Sequence, residues 1–422
     1  MTFIMNENER SPIPVDARLP ILQTIPLSLQ HLFAMFGSTV LVPILFKINP
    51  ATVLLFNGLG TLLYLFICKG KIPAYLGSSF AFLSPVFIIL SQYGYGAALG
   101  GFISVGIVFC IVAGIIHFAG TKWIDIVFPP AAMGAIVAVI GLELMPSAAG
   151  MAGLIPSDGA GINYSHAGVA LATLGITILA NVSFKGFLGI IPILIGVVSG
   201  YVISWLCGIA DFSSVSSAPW FALPTFYRPE FNINAILMIL PASLVVIAEH
   251  VGHFIVIGSI VGKDLTKDPG LARSILGNGV STIISGVFGS TPNTTYGENI
   301  GVLAISKVYS TWVIGGAAVF AVILSCMGKL AALIQAIPSP VMGGVSMLLF
   351  GVIAVSGIRI LVEKHIDYNN PQNLMLTAVV LGVGVSNASI AIGAVTLKGM
   401  ALATAVSIIM SLLFRLISYI RK

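Results

Sequence analysis

Apolar residues fill this chain in runs of about twenty, long enough to cross ~30 Å of hydrocarbon as helices, with short polar or Gly/Pro-containing joints between them. The pattern predicts an all-α polytopic membrane protein of about fourteen spans, with no stretch left for a soluble domain. Two runs depart from it. The third span, KIPAYLGSSFAFLSP, and the tenth, FGSTPNTTYGENIGVLAIS, open with a Gly/Ser/Thr-rich, extended-looking half and close with an apolar half restarting as a short helix near Phe80 and Glu298. Broken backbone at membrane depth is tolerated only where it is buried in protein or lines a cavity. Both restarts are therefore predicted to aim free N–H groups, at the positive end of a helix dipole, into the middle of the protein.

The eighth span, PASLVVIAEHVGHFIVIGSIVGKDL, carries Glu249, His250 and His253 inside an apolar helix. A carboxylate at this depth costs ~2.5 to 3.5 kcal/mol on insertion scales, so the carboxylates kept here point to function. Glu249 and His253, four apart, share one helix face and could share a proton. A substrate-binding and proton-carrying pair is the reading, against a structural buried hydrogen bond. Glu298, at a helix start, is favoured as an anion, which suits accepting a ligand N–H. His250 and His253 are three apart, but EHxxH is neither the zincin order nor its inverse, and no metal or cofactor is expected. Gln30 and His31, in SLQHLFAMFGSTVLVPILF, correspond to Glu249 and His250, and both a packing hydrogen bond and a ligand contact remain open for them. Glu143, in VIGLELMP, stands near a span end with no evident partner and is given a structural or gating role.

Composition agrees with the spans: 57% of residues are apolar and 8% charged, against about 25% charged in soluble domains. With a cytoplasmic N-terminus, fifteen of the nineteen Lys and Arg face the cytoplasm and Lys47, Arg228, Lys329 and Lys398 face the other side. An even number of spans puts both termini inside, and the net charge of +5 is this loop bias, with no nucleic-acid partner needed. The first twenty residues lack the apolar core of a signal peptide. Cys68, Cys110, Cys207 and Cys326 are scattered singly, as buried small hydrophobes rather than disulfides or metal ligands.

The chain also matches itself at about half its length. FPPAAMG (Pro129, Met133, Gly134) recurs as IPSPVMG (Pro338, Met342, Gly343), Gly77-Ser78 as Gly289-Ser290, and Lys185-Gly186 as Lys398-Gly399. These offsets predict a 7+7 inverted repeat, because seven spans are an odd number. Inverted repeats with interrupted spans in corresponding positions mark secondary transporters, whose site lies at the repeat interface.

The segments QHLFAMFGSTVLVPILF, AYLGSSFAFLSP, VVIAEHVGHFIVIG and GSTPNTTYGENIGVLAISKVYS resemble the nucleobase/ascorbate transporter family, and the likeness runs along almost the whole chain. The resemblance implies a proton-coupled uracil importer of the bacterial inner membrane, a homodimer in membrane lipid. It implies a cytoplasmic tail at 1–20, core-domain spans 1–4 and 8–11 at 21–119 and 233–328, and gate-domain spans 5–7 and 12–14 at 120–232 and 329–422. Short antiparallel strands are implied in spans 3 and 10. It places uracil between Glu249 and Glu298, with the N–H groups of Phe80 and Gly297 donating to its oxygens and His253 assisting. Ser38, Phe80 and Tyr296 would line the pocket, and Glu249, His253 and Glu298 would serve proton coupling. Two departures stand out: Ser306 before Lys307 where the family has Thr, with the hydroxyl retained, and Ser38 in place of Ala. Uracil's two N–H donors, two carbonyls and flat ring match two carboxylates, two helix-start amides and aromatic walls. A purine permease for xanthine or urate is the nearest alternative; a membrane-embedded metalloenzyme and a passive channel are the competitors of other classes.

Overall fold

The computed structural model describes residues 12–156, 161–393 and 395–420. Helices α1 (Ile21–Ala34) and α2 (Phe36–Phe46) are followed by α3 (Pro50–Ile67), then strand β1 (Leu76–Ser78) and a 3-10 turn (Phe80–Phe82) leading into α4 (Leu83–Gln92). Next come α5 (Tyr95–Ala119), α6 (Lys122–Val127), α7 (Pro130–Met151), α8 (Tyr164–Ser183), α9 (Phe187–Ile190), α10 (Pro192–Leu206) and α11 (Ser213–Ser217). The second half opens with α12 (Ile233–Val261) and α13 (Leu271–Phe288), followed by β2 (Asn293–Thr295) and α14 (Gly297–Ser306). It closes with α15 (Thr311–Ser325), α16 (Gly328–Gln335), α17 (Ser339–Glu363), α18 (Pro371–Val385), β3 (Ser389–Ile392), β4 (Val395–Lys398) and α19 (Gly399–Ile420). Among the described residues nine helices are long and apolar enough to cross a membrane, so the chain is a mostly helical multi-pass membrane protein.

Local chemistry sets the ends of α12, the helix that carries Glu249 and His253. The Asn232 side chain accepts from the N–H groups of Asn234 and Ala235, and Gly262 takes the left-handed conformation that ends the helix (φ 66°). Two groups of helices result. Helices α1, α3, α5, α12, α13 and α15 pack together, as do α7, α8, α10, α17, α18 and α19, with α12 also touching α7 and α19. Small residues permit the tight crossings: a Cβ on Gly357 of α17 would run into the backbone of Ala138 on α7.

Strands β1 and β2 pair antiparallel, Leu76 opposite Thr295, Gly77 opposite Thr294 and Ser78 opposite Asn293. Each strand lies in one of the two broken segments. A two-stranded ribbon has two open edges, and in hydrocarbon an unpaired edge is expensive. Neighbouring helices close both. Thr61 Oγ1 on α3 accepts from the Leu76 N–H (2.9 Å), and Thr282 Oγ1 on α13 accepts from the Asn293 N–H (3.2 Å). Asn293 Nδ2 donates to Ser281 Oγ (2.5 Å) and Ser285 Oγ (3.2 Å), which fastens the ribbon to α13. Thr61→Val keeps the volume but leaves the Leu76 N–H without its partner, so it is expected to lower stability by ~1 to 3 kcal/mol. A detergent melting curve identical to that of the unmodified protein would show that this edge contributes nothing.

The repeat matches are uneven in the structure. Pro129 and Pro338 both precede a long helix, α7 and α17, with φ of −59° and −61°. Gly186 and Gly399 both take positive φ at a helix start. Gly77-Ser78, however, lies in β1, whereas Gly289 is the left-handed end of α13, so this match joins unlike positions. A second ribbon, β3 with β4, precedes α19. At the N-terminus, Ile13 exchanges backbone hydrogen bonds with Lys307 and Tyr309 (both 2.9 Å), so this part of the tail is held against the α14–α15 joint. Residues 1–11, including Arg10, and Arg421 and Lys422 lie outside the described residues.

Candidate substrate site

Because β1 and β2 run antiparallel, the helical turns that follow them begin at opposite ends of a ribbon roughly 7 to 10 Å long. The first N–H groups of a helical turn have no i−4 carbonyl, so the starts at Phe80 and Gly297 present donors to the space between them. The middle of α12 lies alongside. Phe80, Glu249, His253 and Glu298 are partly exposed and Gly297 is exposed, while Ala81, Ala248, His250 and Asn299 beside them are buried. Phe80, Glu249, His253, Gly297 and Glu298 thus keep some exposure in an otherwise packed interior, at a crevice between the two helix starts and α12, while Tyr296 is buried.

His253 Nδ1 is 3.0 Å from Thr295 Oγ1, so the ring is held by β2 and its hydrogen bond does not go to Glu249. A Cβ on Gly297 would sit 3.5 Å from His253 Nε2, which places this second ring nitrogen beside the α14 start. Glu249 and Glu298 are close enough for their charges to act on each other. Tyr296 is buried; its hydroxyl donates to the Ser78 carbonyl (3.1 Å) and its N–H to that of Tyr75 (3.1 Å), so it braces one strand on the other. Gly77 is required beneath it, because a Cβ there would enter the Tyr296 ring. The side chain of Ser38 lies outside the described residues; its backbone is in α2.

His250 faces away from the crevice. Its Nε2 meets Ser274 Oγ at 2.7 Å, and Ser274 Oγ meets the Tyr64 hydroxyl at 2.6 Å, a buried chain that ties α12 to α13 and α3. Among the described residues no group of three His, Cys, Asp or Glu could hold a metal ion. His31 accepts through its carbonyl from Asn299 Nδ2 (3.0 Å), and its Nδ1 lies 3.2 Å from the same nitrogen. It therefore anchors α14 beside Glu298. Ser306 Oγ accepts from the Val308 N–H (3.2 Å) and serves the end of α14 rather than the crevice.

The permease-family profile matches residues 22–393. The chain belongs to this permease family. It is 66% identical over 98% of its length to the uracil permease of Escherichia coli K12, covering 96% of that protein, and 62% identical over 97% to the uracil permease of Paenibacillus larvae, covering 98%. Its fold is similar to the murine solute carrier 26 member A9 anion transporter in the inward-facing state (TM-score 0.74, 12% identity, 99% of this chain and 73% of that one). A structure of SLC26A9 aligns with 93% of this chain, which spans 65% of its length (TM-score 0.71, 13% identity). The family consists of permeases, not enzymes.

In this permease three contributors to the crevice lie outside the sequence expectation. Thr295 orients His253, Asn299 fixes α14, and Phe350 of α17 meets the Phe80 ring edge-on at 6.1 Å between centroids. Asn299 carries a signal in the sequence, a polar amide beside Glu298 in an apolar helix. Phe350 carries none, being one aromatic among many apolar neighbours.

Proposed function

We propose that the chain imports uracil with protons across the bacterial inner membrane by alternating access. The observation that carries this is the convergence of two helix starts and two carboxylates, Glu249 and Glu298, on one crevice flanked by Phe80 and His253. The carboxylates accept the two uracil N–H groups, and the Phe80 and Gly297 N–H groups donate to its carbonyls. Near-full-length identity with uracil permeases supports the same substrate. Two carboxylates facing one ligand repel each other when both are charged, so a proton taken up with uracil relieves the repulsion; Glu249, with His253 and Glu298 near it, is the proposed carrier.

The architecture belongs to the same proposal. The nine long helices, four shorter apolar ones and the ten-residue α14 agree with fourteen spans in two inverted halves. The two packing groups agree with a core at 21–119 and 233–328 and a gate at 120–232 and 329–422. Cytoplasmic termini follow from the uneven Lys and Arg distribution. The homodimer follows from the family resemblance.

Uptake of labelled uracil by cells lacking their own permease tests the reading. Saturable uptake that an uncoupler abolishes, and that unlabelled uracil but not xanthine, hypoxanthine or urate suppresses, is expected. Competition by xanthine stronger than by uracil would move the substrate to purines, and uptake indifferent to the uncoupler would remove proton coupling.

A further inference from the structure

A third carboxylate, Glu143, lies in the interior and has no part in the crevice chemistry above. It projects from α7, where its Oε2 accepts from the Met400 N–H at the start of α19 (2.8 Å) and its Oε1 accepts from Ser84 Oγ on α4. Gly399, with φ of 55°, leaves room for this approach, since a Cβ there would collide with the carboxylate. Ser84 is one helical turn beyond Phe80, and Phe80, Ser84, Glu143 and Met400 line one small pocket. The carboxylate therefore touches α7 and α19 of one helix group and, on the other side, α4, which packs against α5 and α12 of the other group.

We propose that Glu143 is a positioning residue for the substrate site, tying the Phe80 wall to α7 and α19 through Ser84, and that this tie opens and reforms in each transport cycle. The inference rests on the alternating-access reading. The two bonds of the carboxylate are unequal in a way that suits a releasable tie. The Met400 N–H, at the positive end of α19, stays with Glu143 when the helix groups shift and keeps its charge stabilised. The Ser84 hydroxyl, once released, can turn to the Phe80 carbonyl, four residues back at the start of the 3-10 turn that leads into α4. Neither partner is stranded when the contact breaks.

Transport kinetics in proteoliposomes separate this from a purely structural role. Ser84→Ala leaves the α19 contact intact and is expected to raise the KM for uracil about fivefold, the loss of one hydrogen bond, without lowering the maximal rate. Ser84→Thr, which keeps the hydroxyl, restores the KM. In a protein with its four native cysteines replaced, Ser84→Cys with Glu143→Cys bridged by mercuric ion is expected to stop uptake, and dithiothreitol to restart it. An unchanged KM in Ser84→Ala, a raised KM that Ser84→Thr does not restore, or undiminished uptake by the bridged protein overturns the tie while leaving uracil transport by the unmodified protein in place. Absence of uracil uptake from the unmodified protein removes the functional reading and this inference with it.

Discussion

Glu298→Ala is expected to lower uracil affinity at least about tenfold, because it deletes a charge-assisted hydrogen bond of roughly 1.5 to 3 kcal/mol and leaves a ligand N–H unpaired in a water-poor crevice. The prediction rests on position. Glu298 is in the first turn of α14, partly exposed, while the adjoining Asn299 is buried and held by His31. Alanine should therefore leave α14 in place and remove only the acceptor. Calorimetry on the purified variant reads the affinity directly. A dissociation constant equal to that of the unmodified protein would take Glu298 out of the site.

Glu249→Gln separates binding from coupling. Glutamine keeps the shape and one acceptor oxygen but carries no titratable proton, so the variant should still bind uracil, lose the pH dependence of that binding and fail to concentrate uracil against a gradient. The motive lies in the geometry, with Glu249 one turn from His253 and within electrostatic reach of Glu298. Moving a net charge through the membrane field costs ~2.3 kcal/mol per 100 mV, which is why a carboxylate that crosses with its ligand benefits from taking a proton first. Liposomes under an imposed pH difference provide the measurement. If the variant accumulates uracil there and stops when the gradient collapses, coupling belongs to His253 or Glu298.

The broken segments were legible because Gly, Ser and Thr cluster where a spanning helix requires apolar residues, and the structure restarts its helices at Phe80 and Gly297. Glu249 and His253 were legible for the same reason, as ionisable groups in an apolar helix. Their partners were not. Thr295 beside His253, His31 beside Asn299 and Ser84 beside Glu143 are separated in sequence by 42, 268 and 59 positions and meet only through helix crossings that no local pattern encodes. The Gly77-Ser78 match shows the opposite hazard. The same dipeptide forms a strand in one place and ends a helix in the other, because glycine serves both conformations.

The ribbon of β1 and β2 also constrains how the protein can be made. Its strands are joined by the register Leu76 to Thr295, so the ribosome has completed more than two thirds of the chain before the second strand exists. Until then β1 has Thr61 on one edge and nothing of its own chain on the other. A nascent chain in the lipid bilayer must hold that edge against water, a chaperone or the insertion machinery, since hydrocarbon offers no hydrogen bonds. Assembly of the centre is therefore a late event of biogenesis rather than an early one, and a chain released before Asn293 carries helices enough to stay in the membrane but no finished core.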